Sequence, residues 1–339
     1  AFAPSFAKAT AGEEAAADKA IIFQFAPSIR TSIGEEFGLK PGEITTDKIV
    51  AGLKQLGVNF VFDVSCGADF TTVEEARELL EKLENGETKT LFSSCCPSWV
   101  RYVECYWPEF VANLATAAPP HIILGRLIKT FWAQQNNLLP ENIVVVSVMP
   151  CIAKKYEIQR KEHFIEWQGK NLQPVDYVLT TRELARLFQK KNIDFKKIKG
   201  QQPDNPFGEP SGAGVIYGAS GGVMESALRT AIQKLKQEGV KLLPARKEFN
   251  SFLTVRGQEG MKIVELEMAG KKMRLAVVNG IDNAKKILQE LKQNPNAYSC
   301  VEVMACPGGC IGGGGQPLPS TPQIRQARAD GLYQIDKNK

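Results

Sequence analysis

The sequence predicts an α/β fold built on mainly parallel, twisted sheets with helices on their faces. Two observations predict it: short apolar runs alternate with helical patterns along the chain, and several of those runs end where a cysteine or glycine cluster begins. In open sheets of this kind the crevice at the carboxyl ends of the strands is where sites are built.

The elements follow in order. An apolar run at Ile21–Phe25 precedes a helix around Ser28–Phe37, Asn59–Val64 precedes a helix over Thr71–Leu83, and Thr90–Ser93 precedes one over Ser98–Cys105. The rhythm continues with strands at Ile143–Val148 and Tyr177–Leu179, the latter before a helix over Thr181–Lys190, then Met273–Val278 before Asp282–Lys292, and Val301–Met304 last. Pro203–Val215, with Gly208, Gly212 and Gly214, reads as a loop, and Ala219–Gly222 as a tight turn feeding a helix over Val223–Leu235. Residues 1–20 are Ala-rich and cysteine-free and read as a linker or processed leader remnant ahead of one unit over 21–339.

Bulk composition narrows the class. The 339 residues are 43% hydrophobic and 23% charged, which excludes a disordered chain, and no apolar run reaches the ~18 residues a bilayer span requires. The net charge of +5, from 42 basic and 37 acidic side chains, is spread along the chain and reads as an ordinary solvated surface, with no expectation of nucleic acid or membrane as partner. Eight cysteines without a small-domain disulfide spacing point to metal or redox chemistry in a reducing, cytoplasmic compartment, the alternative being an organelle. With two histidines in the chain, a metal here is held by sulfur.

Three segments carry the chemistry: Phe92-Ser-Ser-Cys-Cys-Pro-Ser-Trp99, Met149-Pro-Cys-Ile-Ala-Lys-Lys-Tyr-Glu157 and Glu302-Val-Met-Ala-Cys-Pro-Gly-Gly-Cys-Ile-Gly-Gly-Gly-Gly-Gln-Pro317. Each follows a predicted strand. Thiolates from three remote turns suit one cubane cluster, which takes four sulfur ligands, and Cys96, Cys151, Cys306 and Cys310 supply that set. Glycines around Cys306 and Cys310 let backbone approach a bulky inorganic group. The rival reading, a zinc site or inert thiols, lacks the paired Cys-x-x-Cys knuckles zinc usually takes and leaves the glycine run unexplained. Cys95 is the spare thiol, placed to hold a proton or to fill space.

These segments resemble the catalytic domain of the iron–iron hydrogenases from about Ile21 to near the end of the chain. The resemblance implies two intertwined lobes with a cluster in the cleft between them. It also implies a [4Fe–4S] cube on Cys96, Cys151, Cys306 and Cys310, with Cys310 bridging to a diiron subcluster that carries CO, cyanide and azadithiolate. The same carry-over makes Cys95 the proton-exchanging thiol and gives the cyanides to Lys154 and to Ser28 of the Ala26-Pro27-Ser28 turn. Met149 and Met304 flank the diiron unit, and Glu75 and Glu78, three apart on one helix face, relay protons.

Departures from the family pattern are as informative. Its common relay serine is Ala115, its pocket Ser-Pro-Gln reads Pro119-Pro120-His121, its outer arginine is Lys82, and a pocket phenylalanine is Tyr217. Thr116 or a water is then expected to replace the missing hydroxyl. No ferredoxin-like cysteine module precedes Ile21, so electrons are expected from a ferredoxin-like carrier or redox subunit, and the diiron unit from maturation proteins. Two rival functions stay open: a slow sensory hydrogenase, and a non-enzymatic iron–sulfur assembly scaffold with similar sulfur ligands.

Overall fold

A computed structural model describes residues 19–239, 255–257 and 260–339 of the chain. The predicted leader at 1–20 falls, but for its last two residues, outside the described part, and Ala20 already opens the first strand.

Two four-stranded sheets form the frame. In the first, β1 (Ala20–Phe25) lies between β2 (Phe60–Asp63) and β4 (Ile143–Met149), with β7 (Tyr177–Thr180) outside β4, every pair parallel. In the second, β10 (Cys300–Met304) lies between β3 (Leu91–Phe92) and β9 (Lys271–Asn279), both parallel to it, and β8 (Met261–Met268) closes the edge antiparallel to β9. The small hairpin of β5 (Ile165–Trp167) and β6 (Lys170–Leu172) stands apart. Strands buried on both faces are near-continuously apolar, as in Ile143-Val-Val-Val-Ser-Val-Met149, which is why the parallel frame is readable in the sequence.

The lobes are intertwined because chain order and sheet membership disagree. Strand β3 joins the second sheet, although β2 and β4 on either side of it in sequence belong to the first. The link is α1 (Val64–Asn85), a long helix that starts at the end of β2 and buries Ala76, Leu79 and Leu80 in the second lobe against Leu228 and Leu275. Its start is fixed by Asp63, whose carboxylate accepts from Ser65 N at 2.9 Å and pairs with buried Arg30 at 2.6 Å. The periodicity begins the helix at Thr71, seven residues late, because Val64-Ser-Cys-Gly-Ala-Asp-Phe carries no clear apolar stripe.

Two further expectations are revised. The single helix around Ser28–Phe37 is a pair of 3-10 turns, Pro27–Thr31 and Ile33–Phe37, broken where Ser32 Oγ turns back to Ser28 O at 2.8 Å and reaches Gln316 at 2.7 Å. Within the predicted loop, Gly212–Ile216 forms a helical turn capped by Ser211 and packed on α1 so closely that a Cβ on Gly214 would sit 2.3 Å from Ser65 O. The remaining helices that place the site are α2 (Pro97–Tyr106), α3 (Pro120–Leu127), α4 (Ala153–Glu157) and α5 (Gly222–Gln237).

Candidate metal centre

The sulfurs come from the carboxyl ends of both sheets. Cys96 follows β3 and precedes α2, with Pro97 as that helix's first residue. Cys151 follows β4, and Cys306 and Cys310 follow β10. The turns interlock through main chain: Gly315 N donates to Pro150 O at 2.7 Å, Ala305 N to Cys96 Sγ at 3.5 Å, and Gly309 sits at φ 89° where a Cβ would lie 2.7 Å from Ser220 N. Glycine is required at 309 on both counts.

Burial pushes the Cys310 thiol far up, and Cys151, Cys96 and Cys306 then act on it as like charges. Burial likewise holds Cys151 up at about 11 with Cys96 and Cys306 among its neighbours, and Cys306 up with Cys96 beside it. The four thiols thus converge. Among the described residues no three His, Cys, Asp or Glu side chains close tightly enough to chelate a single ion. Thiols brought from several turns to one space are the donor set a polynuclear iron–sulfur body takes, one iron to each sulfur. Cys66 and exposed Cys105 lie outside the set, on α1 and α2.

A pocket of different character faces this set. Cys95 is buried and packs with Ala68, Tyr217, Val223 and Met304, against Cys96 and Cys310. Lys154, on α4, donates to Cys95 O at 2.9 Å and to Glu157 Oε2 at 2.8 Å, which uses two of its three N–H bonds. Ser28, after Ala26 and Pro27, has a fully buried hydroxyl with no hydrogen-bond partner. An orphaned hydroxyl and a spare ammonium N–H are what a small anionic ligand would satisfy. Met149 is buried in the first-lobe core, and Tyr217 Oη is 2.8 Å from Thr72 Oγ1.

His121 belongs to a buried network beside Lys154. It follows Pro120 at the start of α3 and is 1% exposed, with Nε2 2.5 Å from Glu157 Oε2 and Nδ1 3.2 Å from Ser147 Oγ. Gln24 Nε2 donates to Ser147 Oγ at 2.6 Å, so the bonds run in one direction: Gln24 to Ser147, Ser147 to His121, His121 to Glu157. Burial, then the Lys154 ammonium, hold His121 neutral, down at about 4. Glu157 is burdened by burial, yet Lys154 and His121 keep it ionised, at about 2. Both imidazole nitrogens are engaged, so His121 bears on the pocket through Glu157 and Lys154. Glu157 escaped the sequence reading because a glutamate three residues after a lysine reads as a solvated helix pair.

On α1, Glu75 is buried and Glu78 is part-exposed. Burial, then Glu302 and Glu78, push Glu75 up to about 8, and burial followed by Glu75 pushes Cys95 far above the usual thiol range. Glu78 accepts from Thr116 N at 2.9 Å and from Thr116 Oγ1, so the residue beside Ala115 does anchor the outer carboxylate. Lys82 reaches Glu87 at 3.7 Å.

Residues 19–314 match the family described as the iron only hydrogenase large subunit, C-terminal domain. The chain belongs to that family. It is 42% identical to iron hydrogenase 1 of Clostridium pasteurianum over 328 residues, 95% of this chain and 55% of the relative. A solved apo [FeFe]-hydrogenase from Chlamydomonas reinhardtii superposes with a TM-score of 0.83 at 32% identity, covering 99% of this chain and 89% of that one. Cytosolic iron-sulfur assembly component 3 of Mus musculus is 33% identical over 308 residues, 87% of this chain and 62% of that protein. The chain spans about half the length of the first curated hydrogenases it matches. Among its described residues no helix is long and apolar enough to cross a membrane.

Proposed function

We propose that this chain is a hydrogenase, interconverting protons, electrons and H2 with an external, ferredoxin-like electron carrier or redox subunit. The observation that carries this reading is the buried Cys95 thiol, packed against the converging cysteines on one side and electrostatically coupled to Glu75 on the other. A scaffold that only stores or passes on clusters has no use for it.

Cys96, Cys151, Cys306 and Cys310 would hold a [4Fe–4S] cube, next to which maturation proteins would install a diiron unit. Bound there, the group supplies the site where protons and electrons combine. The protein's part is positional and protonic. Ser28 Oγ and the third N–H of Lys154 would anchor cyanide ligands, and Glu157 keeps Lys154 cationic despite its burial. Cys95 Sγ holds the proton nearest the cluster, Glu75 resupplies it, and Glu78, tied to Thr116, meets solvent. Met304 and Tyr217 close the pocket against water.

The assembly-scaffold reading is favoured by the likeness to the mouse assembly component. Infrared spectra of protein matured anaerobically separate the two: CO and cyanide bands appear in the hydrogenase and vanish in Cys310→Ala. Protein that gains iron and sulfide yet shows no such bands and evolves no H2 from a reduced dye is a scaffold.

A further inference from the structure

Glu302 is a buried carboxylate to which the reading above gives no role. It lies on β10, 1% exposed, and both of its oxygens are occupied by main chain: Oε1 accepts from Gly221 N at 2.6 Å and Oε2 from Met224 N at 2.7 Å. Gly221 caps the amino terminus of α5, a helix of 16 residues, and Met224 is its third residue; two N–H donors at a helix amino terminus favour the ionised carboxylate. Glu75 lines the same small cavity, and its Oε1 is buried without a hydrogen-bond partner. The cavity measures about 20 Å³, has Ala115 in its wall and is otherwise mostly apolar, with Ser93 and Cys300 as its further polar side chains. That is room for one water.

We propose that Glu302 is a positioning residue for proton supply. Held by the α5 amides as the more acidic of the two, it keeps the proton of the pair on Glu75, while one water beside Ala115 bonds Glu75 Oε1 in place of the missing side-chain hydroxyl. The destination of that proton, Cys95, rests on the hydrogenase reading, whereas the pair itself does not. Once Cys95 has passed on its own proton, the Glu75 carboxyl O–H bond breaks as a new Cys95 S–H bond forms, and the resulting Glu75 carboxylate takes a proton from solvent by way of Glu78. One proton moves and no electron does. Repulsion from Glu302 makes the empty Glu75 quick to reload.

The surroundings reinforce the arrangement. Burial raises Glu75 to about 8 and Glu302 only to about 7, because the α5 amides oppose the rise at Glu302. The other titratable groups that act on the pair or feel it are Glu78, Glu225, Tyr217, Tyr333, Cys95 and Cys300, all neutral or anionic. Lys82 is a cation that opposes Glu75 at Cys300.

The test is the carboxylic-acid C=O stretch in infrared spectra of the anaerobically matured full chain, followed over pH in H2O and D2O. A band that Glu75→Gln removes should persist at neutral pH, and Glu302→Gln should lower its midpoint by about one pH unit or more. An unmoved midpoint overturns the proposal. Glu302→Gln also turns an amide N–H toward a backbone N–H, so where it fails to fold Ala115→Val is decisive. Its methyl groups fill the cavity and expel the water with the α5 bonds untouched, which should shift the Glu75 band to higher frequency, and an unshifted band overturns the proposal. The CO and cyanide bands in the same spectra report on the hydrogenase reading separately, so the failure of one is not mistaken for failure of the other.

Discussion

Glu157 is held at about 2 and His121 at about 4 while Lys154 beside them stays cationic, so a few buried side chains set the charge of the whole pocket wall. Removing the shared carboxylate in Glu157→Gln strands the ammonium and should cost about 3–5 kcal/mol, read as a lower midpoint in denaturant melts. Cys95→Ala makes a contrasting case. Its small thiol contributes little to packing, so the melt should barely move, while H2 turnover should fall by about a hundredfold or more because the proton has no carrier at that point. Unchanged turnover would remove Cys95 from the relay.

At the scale of elements, α1 decides most. A Cβ on Gly67 would lie 2.2 Å from Pro120 O, so the helix is seated on the start of α3 with no slack. Gly67→Ala should therefore destabilise the fold by about 1–3 kcal/mol, seen as a lowered melting temperature, and should disturb the Glu75 side of the pocket as well. The parallel strands were legible in the sequence because burial on both faces leaves an unbroken apolar run, and the helix after β7 because Thr180 and Glu183 write out a capping box. Strand β8 was not, since Met-Lys-Ile-Val-Glu-Leu-Glu-Met alternates charge with apolar residues and depends on β9 for its place. The converging cysteines were readable from their turn chemistry. Glu302 was not, because Val-Glu-Val-Met looks like a strand with one solvated side chain, and the amides that hold that glutamate come from a helix about 80 residues earlier in sequence.

For the whole molecule the buried titrating groups set how stability follows pH. His121 has a folded pKa of about 4 against an ordinary 6.5, so unfolded chains bind its proton first and stability is lost as pH falls through that window. Glu75 has the opposite sign: at about 8 against an ordinary 4.5, the folded state binds the extra proton, and stability declines as pH rises from 4.5 towards 8. Each limb is on the order of a few kcal/mol. The two windows overlap between about 4.5 and 6.5, where the opposite slopes offset each other, so denaturant melts across pH should show a plateau there and a decline above it. Glu75→Gln should remove that decline, and His121→Gln should turn the plateau itself into a decline.

Cys151 hangs from one sheet, and Cys96, Cys306 and Cys310 from the other. Any inorganic body gripped by all four is therefore a rivet through the seam, and its binding energy becomes cohesion between the halves. Stripping it with a chelator should do more than silence a reaction: the two halves should begin to come apart separately in urea, with protease cutting first along the seam.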